Sequence, residues 1–241
     1  MYGMYGYGYG YGLDPTIILV LIGVALSLWA QGRVNSTFSR YSRVRSMTGM
    51  TGAEAARRLL NAQGIYDVTV QQIAGELTDH YDPRTKTVNL SQSVYGATSV
   101  AAIGVAAHEC GHAMQDNEGY APLRFRSALV PVANFGSRLS WPLILLGLVF
   151  GGLGSPLVEI GILMFSLAVL FQLVTLPVEY NASARAVRLL DAQGILAGEE
   201  VNGTRKVLNA AALTYVAAAA TSILQLLRLI ILFGGRNRRD R

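Results

Sequence analysis

The sequence predicts a multi-pass α-helical membrane protein with a smaller α+β part set between its spans. Three observations carry this. The chain has 241 residues, 51% hydrophobic and only 15% charged, with a mean hydropathy of +0.35, whereas soluble domains carry about 25% charged residues. Its apolar residues are gathered into long runs. Its cations are unevenly placed: of 20 Lys and Arg, 11 fall within 31–138 and 4 within 179–206, on either side of an apolar stretch, as the positive-inside rule expects. A disordered chain, a collagen and a coiled coil are excluded by composition. The single cysteine excludes a disulfide framework and a multi-Cys zinc ribbon. The net charge of +5 could suggest nucleic acid, but its distribution and the lack of a basic-aromatic signature argue against such a partner.

Residues 1–12 are a Tyr-Gly repeat that cannot form a stable helix, read as a flexible tail. Segment 13–30 follows as a first transmembrane helix, about 17 of its residues uncharged, the lower edge of what spans a hydrocarbon core of about 30 Å. Trp29 sits where an interfacial aromatic belongs. Arg33, Arg40, Arg43 and Arg45 come next, which orients the Tyr-Gly end outside and the arginines inside. Residues 31–138 alternate polar and apolar positions as a soluble domain does. A helix from about Gly52 stops at Gly64, and short β-like runs follow: DVTVQQI, ELTDHYD and KTVNLS, the last two joined by a turn at Asp82-Pro83-Arg84-Thr85. One helix is expected from Val94 to about Gln115. The run RLLDAQGI at 188–195 resembles RLLNAQGI at 58–65, and two helices with similar glycine stops explain it better than a duplicated unit.

Segment 139–178 reads as a transmembrane hairpin, since Ser140–Val178 holds one charge, Glu159, in 39 residues. Its first arm, about 141–154, is short enough to leave a re-entrant hairpin open. A helix restarts after Pro177, and residues 179–209 hold this glutamate-bearing helix and a loop. A fourth apolar helix spans 210–234, interrupted by Arg228, and residues 235–241 form a basic tail whose side of the membrane the charge rule leaves undecided.

The strongest chemical signal is His108-Glu109-Cys110-Gly111-His112. On a helix, residues i and i+4 share one face, so both imidazoles can reach one ion while Glu109 points at the neighbouring water position. Zinc suits these ligands, keeps an open fourth site and lowers the pKa of its water to about 7. Glu109 would then act as general base and pass the proton to the leaving amine. A buried His-His helix with a stray glutamate is the bland alternative, and burying that glutamate without a partner is costly. The expected setting is a zincin-like α+β catalytic part with an HExxH helix and a small antiparallel sheet. A third ligand is needed. Asp116 lies two turns beyond His108, about 12 Å along the axis, too far to share its ion. A metzincin would need Gly at 115 and His at 118, where the chain has Gln115 and Glu118. His80 is the only other histidine. Glu179, opening a helix beside the membrane, is the gluzincin solution and the preferred third ligand. Cys110 reads as a small buried spacer, with a redox-sensitive thiol as the alternative.

The runs LTDHYDPRTKTVNLS, AAHECGHAMQ and LPVEYNASARA, in that order between hydrophobic helices, resemble the bacterial YugP-type neutral zinc metallopeptidases, from about residue 15 to 233. More distantly the chain looks like the HtpX and CAAX-type membrane proteases. The resemblance implies His108, His112 and Glu179 as ligands of Zn2+ and Glu109 as catalytic residue. It also implies a bacterial cell-membrane location. One departure stands out: HtpX-like proteins read E-x-x-x-D, the aspartate steadying a zinc histidine, and position 183 here is Ser.

His80, Tyr180 and Arg185 are candidates for stabilising the oxyanion. A salt bridge is at least as good an account of Arg185, and His80 lies on the strand where zincins pair with substrate backbone. The expected function is therefore a membrane-embedded zinc metalloendopeptidase, its catalytic part facing the cytoplasm, acting on membrane-associated polypeptides in contact with the lipid bilayer. Two rivals remain: an inactive zinc-binding scaffold, motivated by Ser183, and a metal transporter or sensor. The latter needs ionisable residues along its spans, and the middles of the first three have none.

Overall fold

The computed structural model describes residues 14–152 and 155–234. The Tyr-Gly tail and the basic tail lie outside the described residues. Four helices are long and apolar enough to cross a membrane: α1 (Ile17–Ser42), α5 (Ala121–Gly151), α6 (Pro156–Ala192) and α7 (Glu199–Phe233). Large apolar side chains such as Leu28, Trp29, Trp141, Val149, Phe150 and Leu163 are exposed along them. That is unfavourable in water and suits a lipid-facing surface.

These helices overrun the apolar segments visible in the sequence. The first arm of the hairpin is 31 residues long because α5 begins at Ala121, so it does not need the re-entrant geometry. The helix expected to restart after Pro177 does not restart: α6 is continuous for 37 residues. An internal proline removes one backbone hydrogen bond, which neighbouring helices can offset in a membrane bundle. Membrane segment and Glu179 therefore belong to one rod. At the hairpin, Gly152 adopts φ 69°, Ser155 caps α6 by accepting from Leu157 N–H, and Pro156 takes the first helical position.

The part between α1 and α5 begins with α2 (Gly52–Ala62), started by a capping box in which Thr51 and Glu54 bond each other's backbone. Gly64 and Gly194 end α2 and α6 alike, at φ 69° and 59°. The two related ends meet, with Arg58 donating to the Gln193 carbonyl at 2.8 Å. Strands β1 (Thr69–Ile73), β2 (His80–Asp82) and β3 (Thr87–Ser91) form a sheet in the order β1-β3-β2. The expected hairpin joins β2 and β3, but β1 runs parallel to β3. The sheet is thus mixed rather than antiparallel. Every residue of β3 is buried, so it takes the centre and leaves the more exposed β1 and β2 as edges.

The single helix expected from Val94 is broken in two, a turn α3 (Gln92–Tyr95) and then α4 (Val100–Asn117). The backbone between them bonds residues 44–46 instead, through Ser46 N–H to Thr98 and Val100 N–H to Val44, and Ser99 caps α4. Helix α4 is nearly all buried, packed against α2 and the sheet on one side and against α6 and α7 on the other. It approaches its partners through glycines. A Cβ on Gly104 would lie 2.9 Å from the Thr204 side chain, and one on Gly111 only 2.6 Å from the Ala182 carbonyl oxygen. At Gly111 the obstacle is backbone, which cannot swing aside.

Gly111→Ala is expected to destabilise the protein by roughly 1–3 kcal/mol, read from thermal unfolding in detergent. Gly32→Ala in α1, where a Cβ would meet nothing within 4 Å, is expected to be neutral or slightly stabilising. Equal stability of the two variants would refute the close-packing account.

Candidate metal centre

His108 and His112 stand one turn apart on α4, their rings edge to face with centroids 4.7 Å apart. Across the Gly111 contact, α6 presents Glu179. Its Oε2 lies 3.2 Å from His108 Nε2 and 3.6 Å from His112 Nε2. Glu179 is only 2% exposed. A buried carboxylate needs cations or donors about it, and the third side chain that answers is Arg126 of α5, 3.6 Å from Oε1.

The other ring nitrogens are also held. His108 Nδ1 bonds the Ser183 hydroxyl at 3.1 Å, and His112 Nδ1–H donates to Gln115 Oε1 at 3.0 Å. Gln115 is itself fixed, its amide donating to the Val178 carbonyl and Asn181 Oδ1, both at 2.9 Å. With each Nδ1 occupied, the Nε2 atoms are the ones that face Glu179, which is how metal-binding imidazoles are aimed. Ser183, at the position where the E-x-x-x-D pattern has aspartate, thus reaches His108 with a neutral hydroxyl.

The donor set fits zinc. Bonds of about 2.0–2.2 Å in a tetrahedron put neighbouring donors roughly 3.3–3.5 Å apart. The ligand atoms of His108, His112 and Glu179 all lie within 4.8 Å of one another. Burial disfavours the His112 imidazolium, but the nearby carboxylates of Glu179 and Glu109 outweigh that and raise its pKa. A proton and a cation therefore compete for this ring.

Two cavities meet here, both lined by Asp79, His108, Glu109, Glu179 and Tyr215. One, of about 280 Å³, runs between α1 and α7 with Phe38, Val105 and Ala211 on its walls. The other, of about 490 Å³, opens between β2 and α5. Glu109 is 7% exposed, and no hydrogen bond among the described residues ties down its carboxylate. The edge strand β2 is locked at its start by Asp79, whose carboxylate accepts from the Ser91 backbone and hydroxyl. Burial pushes the Asp79 carboxyl up despite those bonds. At the end of α4, Asp116 accepts from Tyr81 and Lys86, both at 2.8 Å, and so anchors the hairpin.

Of the residues the sequence singled out, His108, Glu109, His112 and Glu179 come together. His80 lines the larger cavity, but Nδ1 faces the Thr78 carbonyl and Nε2 faces the Asn89 amide. Arg185 lines neither cavity. It is bonded to Glu118 and Asn181 and stacks over Tyr120, so its geometry matches the salt-bridge alternative. Tyr180, beside Glu179 in sequence, points to another groove. Cys110 is fully buried, and burial pushes its thiol pKa up, so it has the character of a spacer. Sequence reasoning missed Arg126, Tyr215 and Gln115. The available signals were the arginines Arg124, Arg126 and Arg138 in the first part of a helix that ends as an apolar span, and a lone tyrosine in the alanine-rich α7.

A family described as "Putative neutral zinc metallopeptidase" matches residues 16–234. The chain is 49% identical over 217 residues to a Bacillus subtilis (strain 168) protein named "Putative membrane protease YugP", covering 90% of this chain and 96% of that relative. No solved structure matches. The similarity runs through the segments that bring the two histidines to the glutamate, and on that extent the chain belongs to this family of neutral zinc metallopeptidases.

Proposed function

We propose that the protein is a membrane zinc endopeptidase with His108, His112 and Glu179 as metal ligands and Glu109 as general base. The observation that carries this reading is the convergence of two imidazole Nε2 atoms on one buried carboxylate, each ring held from behind, beside a glutamate open to two cavities. When bound, zinc supplies a Lewis acid and activates water at neutral pH. Glu109 takes the proton from the attacking water and delivers it to the nitrogen of the leaving amine, so that the peptide C–N bond breaks as a C–O bond forms. Edge strand β2 presents unpaired backbone groups along the larger cavity and holds the peptide extended.

Arg126 takes the role that the sequence offered to His80, Tyr180 or Arg185. Its guanidinium lies in the larger cavity against Glu179, and its Nε is buried with no hydrogen-bond partner among the described residues. A buried donor left unpaired is expensive, and an oxyanion forming on the substrate carbonyl would satisfy it. The active site faces the cytoplasm in this reading, on the side of Arg33, Arg40, Arg43 and Arg45. Because Glu179 belongs to the same helix as a membrane segment, the substrates are membrane-tethered polypeptides. The Ser183 departure gives little support to an inactive scaffold, since the hydroxyl reaches His108.

Glu109→Gln is expected to keep zinc and lose cleavage, whereas Glu179→Ala loses most bound zinc and Glu118→Ala keeps it. Metal content by mass spectrometry together with a proteolysis assay reads all three, and unchanged zinc in Glu179→Ala would refute the ligand set. Arg126→Gln is expected to lower kcat by about 10²–10³-fold with KM and zinc content little changed, and Arg126→Lys to recover part of the loss. A change confined to KM would place Arg126 in ground-state binding instead. Cleavage of soluble casein in detergent as fast as of a tethered polypeptide in liposomes would remove the membrane-substrate assignment.

A further inference from the structure

A cavity of about 670 Å³ lies on the face of α7 turned away from the metal centre. Lys206, Asn209, Ala210 and Leu213 form its floor, α1 contributes Arg33 and Arg40 from one side, and Tyr180 of α6 stands on the other. No carboxylate lines it. Four cations outside the groove are ion-paired, Lys86 with Asp116, Arg126 with Glu179, Arg185 with Glu118 and Arg228 with Asp14, and the three that gather around this cavity have no such partner among the described residues. Among the described residues, Arg33 and Lys206 make no side-chain ion pair or hydrogen bond, and Arg40 only covers the Tyr41 ring at 5.7 Å. Three like charges around one cavity repel each other and attract an anion.

The position of the groove selects the anion. On α1, Arg33 lies one turn beyond the exposed Trp29, which marks the interface. On α7, the lining runs from Lys206 to Leu213, into the apolar part of that helix. Hydroxyl groups of Ser36, Thr37 and Tyr180 sit with the cations, while Ala210 and Leu213 continue the groove as an apolar track. A ligand that suits both ends has a phosphate at the interface and a hydrocarbon chain below it. Basic pockets between spanning helices hold lipid headgroups in this way. We propose that this groove is a site for the phosphate headgroup of an anionic phospholipid. Its occupant would bridge α1 and α7, and the other face of α7 lines the cavity of the metal centre through Leu208, Ala211 and Tyr215. The site is independent of whether the protein cleaves peptides.

The test uses the full chain purified in a neutral detergent, with thermal unfolding followed during titration of short-chain phosphatidylglycerol, phosphatidylcholine or inorganic phosphate. Phosphatidylglycerol is expected to raise Tm by several degrees, and phosphatidylcholine is not. The triple variant Arg33→Gln, Arg40→Gln, Lys206→Gln should bind phosphatidylglycerol at least tenfold more weakly. Lys206→Gln alone, at an exposed position, should show a partial loss. Arg43→Gln with Arg45→Gln, which removes exposed charge from the same end of α1 outside the groove, should respond like wild type. Equal responses from the triple variant and wild type would overturn the site. So would an equal effect of phosphatidylcholine, or a loss as large in the Arg43 and Arg45 control. Inorganic phosphate matching phosphatidylglycerol at the same concentration would overturn the lipid in favour of a free anion.

Discussion

The close approach of α4 to α6 governs the centre of the molecule. For two histidines on one helix to share an ion a third donor must arrive from elsewhere, and the carboxylate that a neighbouring rod brings within reach of both is Glu179. Gly111, between His108 and His112, lets the backbone of α4 come against Ala182 so tightly that even a methyl group would meet the carbonyl oxygen at 2.6 Å. Ala182 is three residues from Glu179, so this contact also sets the height of the carboxylate relative to the imidazoles. The variable positions of the HExxH motif are therefore not neutral here. Cys110 turns into the core behind the helix and Gly111 forms the contact in front.

Orientation of the imidazoles depends on neutral groups. Ser183 and Gln115 hold the two Nδ1 atoms, and Gln115 is in turn clamped by the same stretch of α6 that carries Glu179. A hydroxyl and an amide aim a ring as a carboxylate does, but they raise its basicity less. The negative charge at the centre is thus concentrated on Glu179 and Glu109, with Arg126 as the cation set against it. This is the balance that the proposed reading calls for, a divalent ion held beside a carbonyl oxygen that becomes negative.

Membrane and site are coupled by covalent continuity. Helix α6 carries an apolar segment and Glu179 without a break, and α7 faces the metal centre on one side and the cationic groove on the other. Tilting either helix in the bilayer would move ligand or cavity walls directly, with no loop to absorb the motion. The α+β part is held to this frame by α4 and by backbone bonds between residues 44–46 and 98–100.

What could be read from sequence was what local chemistry dictates. Apolar runs, a capping box, glycine stops and the i, i+4 spacing of His108 and His112 each act within a few turns of one helix, so the apolar helices, the HExxH helix and the hairpin of β2 and β3 were legible. Glu179 was accessible by elimination because few carboxylates lie near a span. The pairing of β1 with β3 was not, since strand periodicity says which face is buried and nothing about which neighbour fills the edge. Nor were the continuity of α6 through Pro177, the break at Ser99, or the placing of Arg126, Tyr215 and Gln115. Those depend on groups distant in sequence supplying a hydrogen bond, a charge or a packed surface. Residue types alone decided which chemistry was available; the packing of α4 against α6 decided which side chains meet, because only a folded chain has a distance between residues 71 positions apart.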